Sequence, residues 1–438
     1  MDEKVRLLFI TPVGFNSITG GGITFKNLFD GWPVDQIAII HADELKQDEE
    51  ICNKYYKIRS REQKKIYQLF RKNSEINLKI DNQFSSKIKK QKILMTFKDI
   101  LFGDSMPQFF HFSKELRFFI EDFKPTLIYS ILGSNFFMSL VDVIQQEYKL
   151  PLIIHFMDDW QSCIYKKGIF SLLERNKMKY LLRKLIKKAD VCLAICEEMK
   201  AEYSKRYKRK FLAFQNCIDI DKLQIKNNFV SRKSNDKFIF TYTGSILSFA
   251  QFYSLIDITK AIKELKNEGH NIIFEIYTPL VLSKKYIKKL LLIDSSIKIN
   301  DVIKDDNQFF DILNKSNGLL LPVNFDKYTK KFIKYSMPTK VPSYLISSTP
   351  IIAYGPKDVA QIKYAIANEW AYVVYKRSKK ELKKIILRSI HDIPYNKKLV
   401  ENAKKTFYKF HNSKDVRLDF QKLLCDSVKN KNTFNKKV

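Results

Sequence analysis

Short apolar runs alternate with longer amphipathic stretches along most of the chain. The runs are rich in Ile, Leu and Val, and helix-length segments separate them. Continuous apolar runs of this length are typical of strands that are buried on both faces of a parallel sheet. The pattern therefore predicts an α/β protein built from βαβ units. The predicted strands are residues 5–10, 37–41, 126–131, 152–156, 191–195 and 211–214 in the first half, and 238–242, 272–277, 318–322, 350–353 and 371–375 in the second.

The chain has 438 residues, which is too long for one ordinary core, so two domains are expected. Between the two groups of strands, "DKLQIKNNFVSRKSND" is polar and has no clear periodicity, which is typical of a linker. The predicted organisation is an N-terminal domain over residues 1–220, a linker over 221–236 and a C-terminal domain over 237–394. Residues 395–438 are predicted to be helical at first and to end in a disordered tail.

The net charge of +31 indicates an anionic partner. The basic residues are concentrated: residues 54–98 carry 14 Lys or Arg against 3 acids, and residues 166–188 carry 9 against 1. The second stretch has helical apolar spacing, so it is either an ordinary solvated helix or an amphipathic helix at a membrane. Two such stretches in one half favour an anionic membrane surface. Nucleic acid is not expected as a partner, because no recognised module or aromatic-interleaved basic motif is present.

The six cysteines form no CxxC pair and show no spacing with His that suits a metal. Residues 238–256 lack charge for 19 residues, but Thr, Ser, Gly and Gln interrupt them, so no membrane span is predicted. With no signal peptide visible, the sequence predicts a cytoplasmic protein with reduced thiols. Combined with the basic stretches, this indicates peripheral association with the inner face of the cell membrane.

The stretch "SITGGGITFKNLF" contains three of the chain's 12 glycines in a row. They follow the first predicted strand and precede a predicted helix. Glycines in that place let backbone N–H groups approach an anion at the carboxyl edge of the sheet. The motif is not GxGxxG, and by itself it is equally compatible with an ordinary turn. Gly21 and Gly22 are the candidate ligands for a phosphate group.

The segment "PLIIHFMDDW" places His155, Asp158 and Asp159 at the end of a predicted buried strand. Open α/β sheets hold their ligands at such strand ends, so these three residues are the candidate catalytic groups. A single His beside a strand is often structural, but the adjacent carboxylates can set its tautomer and protonation. The two acids lack a His or Cys cluster that would complete a metal site, so neither a metal nor a cofactor is predicted.

The second half repeats the arrangement of the first. "FTYTGSIL" ends a predicted strand in Gly244 and Ser245 before a helix, which suits a second phosphate-sized group. Further along, "YSMPTKVPSYLISSTPIIAYGP" offers hydroxyls and one cation. They suit a pyrophosphate or a ribose, although Lys340 taken alone is better explained as a lysine on an exposed helix end. The candidates in this segment are Ser336, Thr339 and Lys340.

Together these segments resemble the retaining GT-B glycosyltransferases, close to glycosyltransferase family 4, from residue 5 to about residue 390. The resemblance rests on "TPVGFNSITGGG", "IIHFMDDW", "ADVCLAICEEMKAEYSKRYKRKFLAFQNCID", "YTGS" and "PTKVPSYLISSTPIIAYGP", in that order and over two domains. It implies two Rossmann-like parallel-sheet domains that face each other across a cleft. It also implies transfer of a sugar from a nucleotide-diphosphate sugar on the second domain to an acceptor on the first, with retained configuration and no metal.

Two features depart from the family's pattern. Its E-x7-E pair, whose second Glu is expected to hold the ribose, falls on Tyr335 and Ser343. The Arg and Lys that commonly follow the "GS" turn are also absent, so Lys340 remains for the diphosphate. The resemblance implies synthesis of a bacterial surface polysaccharide or glycoconjugate on a glycan or lipid-linked acceptor. The alternative is a weak or inactive GT-B-fold subunit that assists a partner glycosyltransferase.

Overall fold

The computed structural model describes residues 5–65, 101–223 and 237–435. The first part of the chain forms a seven-stranded parallel sheet in the order β3-β2-β1-β6-β7-β8-β9. A separate antiparallel hairpin, β4–β5, lies beside it. The strands are β1 Leu7–Ile10, β2 Ile37–His41, β3 Lys54–Lys57, β4 Gln63–Lys65, β5 Gln108–Phe110, β6 Leu127–Ser130, β7 Leu152–Phe156, β8 Val191–Ala194 and β9 Phe211–Ala213.

The second part forms a six-stranded parallel sheet in the order β12-β11-β10-β13-β14-β15. Each sheet is covered by apolar side chains on both faces, which is why its inner strands read as continuous apolar runs. The strands are β10 Phe238–Thr243, β11 Ile272–Tyr277, β12 Lys298–Asn300, β13 Gly318–Pro322, β14 Ile351–Tyr354 and β15 Ala371–Val374. Two parallel-sheet α/β domains are therefore confirmed.

Helices connect the parallel strands and cover both sheets. Within the described residues they are α1 Gly20–Phe29, α2 Lys114–Phe123, α3 Asn135–Tyr148, α4 Ser171–Lys188, α5 Glu197–Tyr207, α6 Phe252–Asn267, α7 Leu280–Ile293, α8 Asp306–Lys315, α9 Lys327–Phe332, α10 Val341–Ile346, α11 Ala360–Ala367, α12 Lys379–His391, α13 Ile393–Phe410 and α14 Ser413–Asn435. Short 3-10 helices occur at Val34–Gln36, Trp160–Ser162 and Ile220–Lys222.

Every predicted strand is present, with ends that differ by at most two residues. The sequence missed β3, β12 and the hairpin β4–β5. β3 and β12 are edge strands and contain polar or half-exposed residues. An edge strand need not be apolar on both faces, so the pattern of buried runs does not detect it.

The last helix, α14, crosses back to the N-terminal domain. Its Phe420 packs edge-on against Phe29 and Tyr129, and Arg417 forms ion pairs with Asp30 and Asp219. The helix continues to Asn435, so the prediction of a disordered tail from residue 427 is wrong over most of that segment. The tail reads as polar, but Val428 is buried in the core of the N-terminal domain.

Most of the predicted linker and most of the basic stretch 54–98 lie outside the described residues. The second basic stretch forms α4, whose apolar residues are divided. Met178, Leu181, Leu182, Leu185 and Ile186 are buried in the N-terminal core, whereas Ile169, Leu172, Leu173 and Tyr180 are exposed. Among the helices that the structure describes, none has the length and apolar content needed to cross a membrane.

Candidate functional site

The two domains touch where the first turn of α1 meets the segment before α10. Thr339 donates a hydrogen bond from Oγ1 to the carbonyl oxygen of Gly20 at 3.0 Å, and its hydroxyl lies 3.4 Å from that of Thr24. Asn216 donates to the carbonyl of Thr339 at 2.8 Å and accepts from Asn27. The carboxyl ends of both sheets therefore lie next to this contact, as expected of a ligand site between two α/β domains.

The glycine motif is the start of a helix and not a turn before it. Thr19 is the N-cap, and its hydroxyl accepts a hydrogen bond from the Gly22 amide at 3.1 Å. The Asn16 side chain in turn accepts from the amides of Ile18 and Thr19. Among the described residues, the amides of Gly20 and Gly21 donate no hydrogen bond to protein. Two N–H groups at the positive end of α1 are thus available to an anion.

Space explains the glycines at positions 20 and 22. A Cβ on Gly20 would lie 2.8 Å from Thr339 Oγ1, and one on Gly22 would lie 2.4 Å from Asn16 Nδ2. A Cβ on Gly21 would lie 3.6 Å from Phe25, an ordinary contact. The sequence prediction named Gly21 and Gly22 and missed Gly20, although the row of three glycines signalled it.

Lys340 extends to the turn that follows β10. Its Nζ donates to the Thr243 carbonyl and lies 4.0 Å from the centre of the Tyr242 ring. Gly244 has φ of +115°, and a Cβ there would lie 2.8 Å from Lys340 Nζ, so glycine is required for the approach. Burial lowers the pKa of Lys340 to about 7. Ser245 completes the turn and accepts from the Tyr242 hydroxyl through its carbonyl.

Asp158 and Ser336 face each other across the domain boundary. The Ser336 hydroxyl is buried without a hydrogen-bond partner among the described residues. Burial raises the pKa of Asp158, the nearby Ser336 hydroxyl opposes that shift, and the negative charge of Asp159 adds to it. The structure thus brings together the predicted residues Asp158 and Ser336, and separately Lys340, Thr339 and the glycines.

Asp159 points into the protein and belongs to a buried network. Its carboxylate accepts hydrogen bonds from Tyr203 at 2.7 Å, Ser162 at 2.7 Å and Arg206 at 2.8 Å. Burial raises the pKa of Asp159, but the hydrogen bond and charge of Arg206 outweigh burial and lower it overall. Because its lone pairs are occupied, Asp159 can position its neighbours but offers little to a ligand.

His155 lies within β7 and not at its end. The side chain is 1% exposed, and Nδ1 is 2.6 Å from the Tyr129 hydroxyl. Burial lowers the pKa of His155 to about 3, so the ring is neutral at physiological pH. This placement in the core speaks against the predicted catalytic contact. The sequence placed His155 near the end of this strand, but it could not show that the side chain is buried in the core.

Tyr335 and Ser343 are the two residues at which the sequence resemblance leads one to expect glutamates. Tyr335 is buried against the N-terminal domain: Cys196 donates to its carbonyl, and the Arg206 guanidinium lies 5.8 Å from its ring centre. Ser343 is half-buried within α10, one turn beyond Lys340. One position is therefore part of a domain contact, and the other carries a short hydroxyl.

Within the part of the chain that the structure describes, no group of three or more His, Cys, Asp or Glu could hold a metal ion. Five of the six cysteines are buried and Cys425 is half-buried. Burial raises the pKa of the Cys196 thiol to about 12, which makes this thiol a poor metal ligand or nucleophile.

No protein-family model and no curated protein sequence matches the chain. Solved structures match it in fold. HepE from Anabaena in complex with UDP has 12% identity and a TM-score of 0.58 over 96% of this chain and 100% of that one. Sucrose-phosphate synthase from Thermosynechococcus elongatus has 10% identity and a TM-score of 0.62 over 95% and 98%. A glycosyltransferase from Rickettsia africae has 11% identity and a TM-score of 0.62 over 98% and 100%. The chain therefore has the two-domain GT-B fold.

Proposed function

We propose that the protein is a glycosyltransferase that uses a nucleotide-diphosphate sugar. The observation that carries the proposal is the meeting of three anion-binding features from two domains. These are the Gly20 and Gly21 amides at the start of α1, the half-buried Lys340 side chain and the turn at Gly244. A diphosphate needs this combination of backbone donors and positive charge. The solved structures that share the fold include HepE in complex with UDP-glucose, which supports a donor of that class.

The proposed reaction follows from the positions of the charges. The donor lies on the C-terminal domain, where Lys340 moves from the Thr243 carbonyl to the diphosphate. The bond from the anomeric carbon to the diphosphate oxygen breaks, and the leaving group gains negative charge. Lys340 and the Gly20 and Gly21 amides stabilise that charge, so no metal or other cofactor is required. The acceptor hydroxyl enters beside Asp158 and Ser336. Its oxygen bonds to the anomeric carbon on the face that the diphosphate leaves, and its proton passes to the departing diphosphate oxygen, so the anomeric configuration is retained.

The acceptor is a glycan or a lipid-linked glycan, and the product belongs to a bacterial surface polysaccharide or glycoconjugate. We place the reaction at the inner face of the cell membrane because of α4. A cationic groove of about 430 Å³ on that helix is lined by Asn176, Lys179, Tyr180, Arg183, Lys184 and Lys187. Lys184 pairs with Asp142, but Lys179, Arg183 and Lys187 have no ion pair among the described residues. Unpaired cations beside exposed apolar side chains suit anionic lipid headgroups.

Sedimentation with anionic vesicles tests the membrane proposal. Replacing Lys179, Arg183 and Lys187 by Glu should release the protein, while the same change at the exposed Lys376, Lys380 and Lys397 should not. Wild type should also be released by salt. Equal sedimentation of the two triple variants would contradict the assignment to α4, and equally tight binding to DNA would contradict the exclusion of nucleic acid.

A thermal-shift screen with UDP-, GDP-, ADP- and dTDP-sugars tests the enzyme proposal. One donor should raise the melting temperature of wild type, and the shift should be lost in Lys340→Ala. The same donor should then be consumed with transfer to a glycan or lipid acceptor. Absence of stabilisation by every nucleotide sugar would refute the proposal.

Tyr335 and Ser343 favour the second candidate function, a weak or inactive GT-B-fold subunit that assists a partner glycosyltransferase. The Tyr335 side chain is buried against the other domain and cannot act as the missing carboxylate. Ser343→Glu separates the two cases, since a carboxylate holds ribose hydroxyls more tightly than a neutral hydroxyl does. In an intact donor site the variant should bind the donor about tenfold more tightly. Donor binding without turnover, in wild type and in this variant, would support the partner role.

A further inference from the structure

Asn216 lies where three distant parts of the chain meet at the domain boundary. It follows β9 of the N-terminal domain and is 5% exposed. Its Nδ2 donates a hydrogen bond to the Thr339 carbonyl at 2.8 Å, and its Oδ1 accepts one from Asn27 Nδ2 at 3.0 Å. Its main-chain carbonyl lies 2.8 Å from Nδ1 of His411. One residue is thus bound by α1, by the segment before α10 and by the chain that returns after α13.

His411 fixes the main chain of Asn216. The histidine is buried, and burial lowers its pKa to about 4, so the ring is neutral at physiological pH. Since a carbonyl oxygen can only accept, Nδ1 carries the proton, and Nε2 accepts from the Tyr364 hydroxyl at 3.1 Å. The Ile218 amide donates to the His411 carbonyl at 3.0 Å, and the Ser413 amide donates to the Ile218 carbonyl at 3.1 Å. The chain that leaves the N-terminal domain and the chain that returns to it are therefore joined here, which sets the direction of the Asn216 side chain.

The contacts of Asn216 close a ring of hydrogen bonds across the domain boundary. Asn27 lies in α1, seven residues after Gly20, and the Thr339 hydroxyl donates to the Gly20 carbonyl at 3.0 Å. Helix α1 is therefore held at two points about two turns apart, at Gly20 by Thr339 and at Asn27 by Asn216. Thr339 directly precedes Lys340. The ring thus fixes the distance between the start of α1 and the segment that carries Lys340.

A side-chain amide is the group that this position requires. The Thr339 carbonyl needs a donor, whereas the Asn27 Nδ2 group needs an acceptor. An amide offers both, but an ionised carboxylate offers no donor. Because the site is buried, loss of either bond would leave a polar group without its partner. The identity of residue 216 is therefore explained by its simultaneous contact with both domains.

We propose that Asn216 is a positioning residue that sets the distance between the two halves of the diphosphate site. One half is the pair of Gly20 and Gly21 amides on the N-terminal domain, and the other is Lys340 on the C-terminal domain. This role rests on the proposed glycosyltransferase function and deepens it, since Asn216 acts on the donor through Thr339 and α1. A diphosphate that bridges the domains binds tightly when both halves are already at the right distance. The nucleoside, which is held by the C-terminal domain, does not depend on that distance.

Titration of a nucleoside diphosphate and of the matching nucleoside tests the role of Asn216. The base is the one that the donor screen selects, and binding to the full chain is measured by calorimetry, for the nucleoside by competition. Asn216→Asp keeps an acceptor for Asn27 but places a carboxylate oxygen against the Thr339 carbonyl. It should weaken diphosphate binding about tenfold and leave nucleoside binding unchanged. Asn27→Ala opens the ring at its other side and should act in the same direction, which provides a second test if Asn216→Asp does not fold.

Asn396→Asp is the matched control. Asn396 is 2% exposed, donates to the Ser389 carbonyl at 2.8 Å and accepts from the Tyr372 hydroxyl at 2.9 Å, but both partners belong to the C-terminal domain. The control should lose stability as Asn216→Asp does, yet bind the diphosphate like wild type. Equal losses of diphosphate affinity in the two variants, or an equal loss for nucleoside and diphosphate in Asn216→Asp, would overturn the positioning role.

Donor-induced stabilisation of wild type is measured on the same samples. If a nucleotide sugar stabilises wild type and Asn216→Asp binds the diphosphate as tightly as wild type, the positioning role falls and the glycosyltransferase proposal stands. If no nucleotide sugar stabilises wild type, the glycosyltransferase proposal falls.

Discussion

The two domains differ in the hydrogen-bond partners of the polar side chains near their strand ends. In the N-terminal domain, the carboxylate of Asp159 accepts hydrogen bonds from Tyr203, Ser162 and Arg206. His155 Nδ1 lies 2.6 Å from the Tyr129 hydroxyl, although its Nε2 is buried without a hydrogen-bond partner among the described residues. In the C-terminal domain, the Ser336 hydroxyl has no hydrogen-bond partner among the described residues, and Lys340 Nζ contacts the Thr243 carbonyl and the Tyr242 ring. The first set stabilises the protein, and the second is available to a ligand.

This difference follows from the cost of burying polar groups. A buried charge or hydroxyl without a partner is destabilising, so a chain retains one only where something compensates. A ligand that supplies the missing partner provides that compensation when it binds. Asp159 therefore has a structural role, whereas Ser336 and Lys340 can take part in the proposed donor or acceptor binding.

The largest expected effect is on stability at Asp159. Asp159→Ala leaves the partly buried Arg206 without its carboxylate, and we expect a loss of about 3–5 kcal/mol in the free energy of unfolding. Urea denaturation measures it, with Asp158→Asn as the control that should change stability little. Because the pKa of Asp159 is lowered in the folded protein, its contribution is present above about pH 3.9 and is lost as the pH falls through the folded pKa. Equal losses in the two variants would contradict the comparison.

His155→Ala should remove about 2–4 kcal/mol of stability, because it opens a cavity beside β7 and leaves the Tyr129 hydroxyl unpartnered. Donor affinity of the folded protein should not change. His155→Phe keeps most of the volume and should recover part of the loss. If His155→Ala has wild-type stability but no transfer activity, His155 has a catalytic role and not a structural one.

Gly22→Ala should cost about 1–3 kcal/mol, because the added methyl collides with the Asn16 side chain that braces the start of α1. Gly21→Ala is the matched control, since its methyl has room, and a small gain in stability is expected from the helix propensity of alanine. Thermal unfolding of both variants measures the difference. Equal melting temperatures of the two variants would mean that the close approach of Asn16 does not require glycine at position 22.

The smallest effect concerns the protonation of Lys340. With its pKa near 7, Lys340 is mostly charged at about pH 6 and mostly neutral at about pH 8. If only the charged form binds the diphosphate, affinity for a nucleotide sugar should fall about tenfold over that range, which is about 1.4 kcal/mol. Lys340→Arg should remain charged and show a flat profile. If the affinity of wild type does not change with pH, the charge of Lys340 does not contribute to binding of the diphosphate.

The sequence predicted the inner strands of both sheets because these strands are buried on both faces and read as short apolar runs. It missed β3 and β12, which lie at sheet edges and are partly polar. It also identified the glycine motif and the segment around Lys340. Their contact depends on the approach of Gly20 to Thr339, 319 positions away in the chain.

The sequence by itself determined the fold class and picked out segments that meet at the domain boundary, since both leave local patterns of apolar runs, glycines and hydroxyls. Only the tertiary structure decided what each polar residue does. His155, Asp158 and Asp159 are within four residues of one another, but one lies in the core, one faces Ser336 and one is bound by Arg206. Their roles depend on which partners are within about 3 Å, and those partners come from distant parts of the chain.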